Sequence, residues 1–270
     1  MMLVIIDGNN WFSRAWYALK PTKATEPEIV RADLEERSVR AIQTTGHWIQ
    51  DINKQLNPTT LAICWDSPVS LRKELFPEYK GGRSEKPEGY YEALAVLRRR
   101  LRNYWNVELD GCEADDLLAK FAIDAVRTKE QCLLCSSDKD LHQCLVAGAV
   151  SQCIHVSRPV DRPGLSFDVI TADDLKERYG VELSQWIDYR LMVGDKTDGL
   201  PKPYGVGDKI ARTVLEACGS LDGFYADPSK APISDSKRNS LLEFKPQVPL
   251  MRKLITLPFK IEATRSSVTV

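Results

Sequence analysis

The sequence has no apolar run approaching the roughly 20 residues that a membrane-spanning helix needs, so no membrane partner is expected. It also lacks an excess of either charge: 37 Lys and Arg face 38 Asp and Glu across 270 residues, a formal net charge of −1. Bulk basicity therefore does not announce a nucleic-acid binder, but near-neutrality does not exclude a polyanionic partner, because placement matters more than the sum. Histidine is scarce. His47, His142 and His155 are scattered, with no serine or cysteine nucleophile signature nearby. A Walker-type phosphate loop and the GxGxxG fingerprint are both missing, which leaves nucleotide hydrolysis and dinucleotide redox chemistry without support. No repeat or low-complexity tract appears. The opening "MMLVIIDGNN" has no basic n-region and turns polar at Asp7, so it reads as a buried strand rather than a secretory signal. Seven cysteines without such a signal imply reduced thiols in a cytosolic-type compartment. Cys132-x-x-Cys135, with Cys144 and Cys153, could suggest zinc, but residues three apart on a strand face opposite sides, and buried structural thiols are expected instead.

What is present, in the first half, is an alternation of short apolar runs with helical patterns. "MLVIID" precedes a helix around residues 31–54; "TLAICWD" precedes a helix around 88–105; another helix opens near 114, and "CLLCSSD" follows. This order predicts an α/β fold with a mainly parallel, doubly wound sheet. In such sheets ligands gather at the carboxyl ends of the strands, and three of these runs end in an aspartate: Asp7, Asp66 and Asp138. From about residue 170 the pattern turns helical. Thr171 and Asp174 form a capping box, Gly180 is a C-terminal stop, and helical patterns run through "LSQWIDYRLMVGD" and "GDKIARTVLEACG". A Pro- and Ser-rich loop near 227–240 and a short strand-like tail, "RKLITLPFKIE", are expected. A soft boundary falls near residue 185.

The stretch "GCEADDLLAKFA" (111–122) carries an apolar stripe, yet packs Glu113, Asp115 and Asp116 into its first turn. The helix dipole favours acids there, but three within four residues repel one another. Together with Asp7, Asp66, the pair Asp138 and Asp140, and the pair Asp195 and Asp198 in "MVGDKTDG", they make nine acids in five segments. Magnesium takes hard oxygen ligands and is typically held by a few carboxylates. Two such ions, roughly 3.5–4 Å apart, stabilise the attacking and leaving oxygens of an in-line phosphoryl displacement. Any one of these acids alone would read as a cap or turn residue; the pattern of all five groups points to a two-metal site.

Basic residues follow the second acid. "LRKELFPEYKGGRSEK" brings Arg72, Lys73, Lys80, Arg83 and Lys86 just past Asp66, where they either hold a scissile phosphate or form a solvated loop. In "EALAVLRRRLRNYW", Leu94, Leu97, Leu101 and Trp105 form one stripe, and Arg98, Arg99, Arg100 and Arg102 form either a phosphate-binding face or a solvated one. "KPYGVGDKIARTVLEACG" has two close glycines before a helix, which can seat a phosphate on backbone N–H groups or simply make a turn. Trp11, Phe12, Trp16 and Tyr17 suit core packing, with base stacking as the alternative.

The segments "IDGNNWFSRAWYAL", "CWDSPVSLRKELFPEYKGGR", "GCEADDLLAKFA", "SSDKDLHQCL" and "IDYRLMVGDKTDGLPKPYGVGDKIA" resemble, in order, those of the 5′-nuclease superfamily: flap endonucleases, the 5′–3′ exonuclease domain of bacterial DNA polymerase I, and bacteriophage 5′-exonucleases. The resemblance implies a PIN-like core over residues 1–185 and a C-terminal helical region over 186–270 with a helix-hairpin-helix motif. It implies a metal-dependent phosphodiesterase, a structure-dependent 5′–3′ exonuclease and flap endonuclease. Asp7, Asp66, Glu113, Asp115, Asp116, Asp138, Asp140, Asp195 and Asp198 would form the metal site, for two Mg2+ ions with Mn2+ able to replace them. Asp7, Asp66, Glu113, Asp115 and Asp116 would hold the metal nearest the attack, with Lys80 and Arg83 at the reacting phosphate. Arg14, Arg72, Lys80, Arg83, Gly205, Gly207 and Lys209 would contact DNA, and the hairpin carbonyls could bind K+. The implied partners are DNA with 5′ ends, flaps or nicks, RNA–DNA hybrids and replication proteins. The chain would act as a monomer in the bacterial cytoplasm or a phage-infected cell. A PIN-type endoribonuclease and a catalytically silent branched-DNA-binding module are the alternatives.

Overall fold

The computed structural model describes residues 1–19, 26–157 and 164–259. β1 (Met2–Asp7) is apolar up to its last residue, and its apolar residues divide by alternation. Val4 and Ile6 enter one hydrophobic core; Leu3 and Ile5 enter another on the opposite face. Such two-sided burial belongs to a sheet covered by helices on both faces. α1 (Gly8–Tyr17) and α2 (Pro27–Leu56) follow, then β2 (Thr60–Cys64), a short α3 (Leu71–Leu75), α4 (Tyr90–Arg100) and β3 (Trp105–Val107). α5 (Ala114–Thr128), β4 (Gln131–Cys135), a 3-10 turn at Lys139–Cys144, β5 (Val150–Ser157) and β6 (Ser166–Ile170) complete the sheet region.

The strands lie in the order β3-β2-β1-β4-β5-β6, parallel except for the antiparallel β5–β6 edge. Strand order reverses at the junction of β1 and β4, which opens a crevice beyond their carboxyl ends. Asp7 is the last residue of β1, and Asp66 and Asp138 lie just past β2 and β4. One face is covered by α1, α2 and α4 through Trp11, Phe12, Trp16, Ile49, Ile52 and Leu97; the other by α5 through Leu117, Leu118, Ala122 and Ala125. Trp11, Phe12 and Trp16 are thus core residues, and only Tyr17 of that aromatic group is exposed. Cys135 and Cys132 fall into these two different cores, so they do not converge. Gly8 is required by close approach: a Cβ there would lie 2.6 Å from Cε3 of the buried Trp65 ring.

Helices dominate the rest. α6 (Ala172–Tyr179) begins on the Thr171 capping box, with the Thr171 N–H donating to Asp174 Oδ2 at 2.7 Å, and stops at Gly180 with φ +67°. α7 (Trp186–Val193), α8 (Asp208–Cys218), α9 (Leu221–Ala226), α10 (Asp235–Phe244) and α11 (Val248–Ile255) follow. Their core includes Leu145, Ile170 and Leu175 as well as Trp186, Val214 and Leu254, so it joins residues on both sides of position 185.

Three local expectations need correction. The helix expected over 88–105 ends at Arg100, and Trp105 lies in β3 rather than on the helical stripe. Asn106 Nδ2 donates to the Leu101 and Tyr104 carbonyls, turning the chain so that β3 can pair with β2. The expected loop over 227–240 contains a 3-10 turn at Pro228–Lys230 and the start of α10. In the expected strand-like tail, Arg252–Ile255 belong to α11, while residues 260–262 lie outside the described residues.

Candidate metal and nucleic-acid site

Local backbone chemistry places the acids. Asp7 ends β1 and also caps α1, its Oδ1 accepting the Asn10 N–H at 2.8 Å. Its Oδ2 accepts Ser136 Oγ–H at 3.0 Å from the turn after β4. Asp66 is open to solvent at the mouth of the crevice, with Oδ1 accepting the Ala114 N–H at 2.8 Å. Glu113 is the N-cap of α5, and Asp115 and Asp116 occupy its first turn. Asp138 caps the 3-10 turn and accepts the Asp140 N–H at 2.8 Å. Asp195 organises the last acidic loop by accepting from the Thr197 N–H at 2.7 Å.

The nine acids separate into two groups by their partners. Five are ion-paired. Glu113 Oε2 lies 2.7 Å from Lys80 Nζ; Asp198 pairs with Arg83; Arg190 reaches Asp140 at 2.7 Å and Asp195 at 2.6 Å; Asp116 pairs with Arg72. Asp7, Asp66, Asp115 and Asp138 make no ion pair among the described residues, and Asp115 Oδ1 is buried without any hydrogen-bond partner.

Electrostatics follow this division except at Asp140. Burial, then the charge of Asp66, pushes the Asp7 carboxyl up to about 7. Asp115 is driven well above the ordinary carboxylate range by burial, then by Asp138 and Asp7. Asp138 is raised too, chiefly by the protein crowding around it. Asp140 rises to about 7 through burial, against the pull of Arg190. Glu113 and Asp195 go the other way: burial would raise them, but Lys80 and Arg72 hold Glu113 low, and Arg190 holds Asp195 low. Adjacent carboxylates that resist ionising together, one with an orphaned buried oxygen, form an all-oxygen donor set suited to a hard divalent cation. The acids line the crevice rather than close on one point: among the described residues, no group of three or more His, Cys, Asp or Glu already stands arranged around a metal position.

Two expected site residues lie elsewhere. Asp116 is 0% exposed and its oxygens are taken by four donors, so it does not face the crevice. Arg72, expected to contact DNA, is 2% exposed and points both terminal nitrogens at Asp116. Arg14 is half-buried and donates from Nη1 to the Ile154 carbonyl at 2.9 Å, with Nη2 against His155. Lys80, at φ +57°, and Arg83 remain on the rim of the acid crevice. Gly205 and Gly207 form the turn before α8. Gly205 has φ +66°, whereas Gly207 is extended and a Cβ there would meet nothing within 4 Å. Lys209 is exposed in the first turn of α8, and neighbouring Tyr204 is 87% exposed.

The sequence reading missed several supporting groups. Tyr79 OH donates to Glu113 Oε2 at 3.0 Å and lies 3.3 Å from Asp198 Oδ2, linking two acidic segments. Arg190 links the segment of Asp140 to that of Asp195 and Asp198. Gln152, buried on β5, donates to the Ser136 and Asp138 carbonyls at 2.8 and 2.7 Å and meets His142 Nδ1 at 2.7 Å. A glutamine within the apolar run "VSQCIHV" is the sequence signal for this last group, since a polar side chain carried into a sheet needs partners.

A mainly parallel sheet whose switch point is walled by carboxylates, followed by a helical region, defines a PIN-like α/β architecture. Residues 2–180 match the family described as 5′-3′ exonuclease, N-terminal resolvase-like domain, and residues 181–268 match 5′-3′ exonuclease, C-terminal SAM fold. The chain belongs to the 5′-3′ exonuclease family. It is 29% identical over 267 residues to the thermostable DNA polymerase I of Thermus aquaticus, which covers 96% of this chain but only 29% of the polymerase. The chain thus spans under a third of such polymerase relatives. It is 28% identical over 271 residues to a 5′-3′ exonuclease of Halalkalibacterium halodurans, covering 98% of this chain and 86% of that protein. Among solved structures, phage T5 5′-exonuclease with bound zinc shares the fold at a TM-score of 0.71 and 21% identity, over 96% of this chain and 90% of that one. A T5 D15 flap endonuclease complex with DNA and metal ions aligns with the same TM-score and coverage at 20% identity.

Proposed function

We propose that the chain is a divalent-metal-dependent 5′-nuclease that hydrolyses DNA phosphodiesters as a 5′–3′ exonuclease and flap endonuclease. The observation that carries this reading is the set Asp7, Asp66, Asp115 and Asp138: four acids at the sheet's switch point without ion pairs among the described residues, with Lys80 and Arg83 on the rim. Those four would hold a first cation, and Glu113, Asp140, Asp195 and Asp198 would complete sites for a second. Magnesium is the expected ion, with manganese as a substitute.

Divalent ions bound there would supply a water activated at neutral pH and neutralise charge on the phosphate. The chain's own residues do the rest. Lys80 and Arg83, now engaged by Glu113 and Asp198, would turn to the oxygens of the scissile phosphate. Tyr79 and Arg190 hold the acidic segments in place. The glycine turn and Lys209 would grip duplex phosphates without reading bases, and its carbonyls would be the place for a potassium ion. The T5 D15 flap endonuclease and the Rad2 catalytic core share this fold in complexes with DNA, which supports DNA as the substrate class. RNA in RNA–DNA hybrids is a further expected substrate, and a monomer suffices for the whole site.

The test is cleavage of end-labelled 5′-flap, nicked duplex, single-stranded DNA and RNA, with magnesium and with chelator. Magnesium-dependent release from the 5′ ends of DNA is expected. Cleavage of RNA alone would favour an endoribonuclease, and duplex binding without cleavage would favour a silent binding module.

A further inference from the structure

Asp115 and Asp116 are neighbours, yet successive side chains on a helix diverge by about 100°. One faces the crevice; the other is turned into the interior. There, Arg72 Nη1 and Nη2 each lie 2.7 Å from an Asp116 oxygen, the Phe259 N–H donates to Oδ1 at 2.7 Å, and the Glu113 N–H donates to Oδ2 at 3.0 Å. Arg72 is equally committed. Its Nε donates to the Leu254 carbonyl at 2.9 Å, and its guanidinium lies 4.7 Å from the centroid of the Phe259 ring. The C-terminal segment 254–259 is also tied to the second acidic turn. Gln143, three residues beyond Asp140, donates to the Ile255 carbonyl and accepts from the Leu257 N–H, both at 2.9 Å.

We propose that Asp116 and Arg72 are a positioning pair, not a cation ligand and a phosphate contact: they fasten segment 254–259 to α5 and thereby set the orientation of Glu113 and Asp115. The inference rests on the metal-dependent reading above, but its structural half stands apart from it. A buried carboxylate satisfied by a bidentate arginine and two N–H groups has nothing left to offer a cation. Removing one partner strands the other charge in the interior, whereas replacing both by apolar side chains is tolerated.

The test compares wild type, D115N, D116N and the double variant R72M/D116L. The readouts are melting temperature without metal, the number of Mn2+ ions bound by calorimetric titration, and kcat on a flap substrate. D115N should lose a bound ion without lowering the metal-free melting temperature, since it removes a repulsion. D116N should melt lower, keep the wild-type ion count and lose about 10–100-fold in kcat, the scale of a lost supporting contact. If D116N does not fold, R72M/D116L carries the comparison and should keep the wild-type ion count. Loss of an ion by D116N or R72M/D116L at wild-type melting temperature would overturn the proposal, as would a D116N melting temperature equal to wild type. If wild type binds no Mn2+, the metal-dependent reading fails, and the positioning pair is judged on the melting temperatures alone.

Discussion

Lys80 Nζ lies 2.7 Å from Glu113 Oε2, so a cation suited to the substrate phosphate is held by an acid suited to the metal. Burial disfavours the Lys80 charge, and Glu113 and Asp198 more than reverse that, keeping the ammonium ionised. Metal and phosphate arriving together would exchange partners with this pair, since each brings the charge that the pair now supplies to itself.

Lys80→Met should therefore lower kcat by about 10²–10³-fold, the scale for removing a donor aimed at developing charge. Duplex affinity should change little, because the proposed duplex contacts lie at the glycine turn before α8, away from Lys80. Single-turnover rates and binding titrations separate the two effects. A large loss of affinity with unchanged kcat would contradict this role.

The metal-free protein should lose stability as pH rises from mildly acidic to neutral. Asp7 and Asp140 have folded values of about 7, above their ordinary 3.8, so the folded chain holds protons that the unfolded chain has released. Stability falls with pH wherever the folded state binds more protons. Glu113 and Asp195 shift downward, and their contribution is already complete above the ordinary carboxylate range. Urea midpoints with chelator at about pH 5 and about pH 7.5 should fall, and Mn2+ should reverse the decline at the higher pH. A chelator-treated midpoint that rises over this interval would count against the crowded-acid description.

Gly8→Ala should destabilise the fold by about 1–3 kcal/mol, the usual scale for overpacking. The new methyl would press on Trp65, a buried ring that also donates from Nε1 to Asn106 Oδ1 at 2.8 Å. Denaturant unfolding measures this directly; an unchanged midpoint would mean that the ring yields freely.

Gly207→Ala should leave the melting temperature near wild type, because the backbone is extended and the position is open. A glycine that the isolated chain does not require is consistent with close approach of a phosphate backbone. Duplex affinity should fall several-fold while kcat on single-stranded DNA is retained. Equal duplex affinity would remove the turn from the interface.

Much of this was legible because the controlling features are local and repeat with a definite period. The alternating burial of Leu3 to Ile6 follows from one unbroken apolar run between turn residues, and Thr171 and Asp174 are a complete capping signature. β3 was hidden because three residues beside an arginine-rich helix carry almost no period, and its formation depends on Asn106 and on pairing with β2. In the site, the sequence could mark the nine acids but not sort them. Which carboxylate meets Arg72, Lys80, Arg83 or Arg190 is decided by contacts over long sequence separations, as when Phe259 donates to Asp116. Asp115 and Asp116 look equivalent in the chain and differ only once the helix has a direction.

The most direct measurement is anomalous diffraction from crystals soaked in Mn2+. A peak bounded by Asp7, Asp66, Asp115 and Asp138 is expected, with Asp116 still bound to Arg72. A crevice without any peak, or an ion ligated by Asp116 with Arg72 displaced, would contradict it.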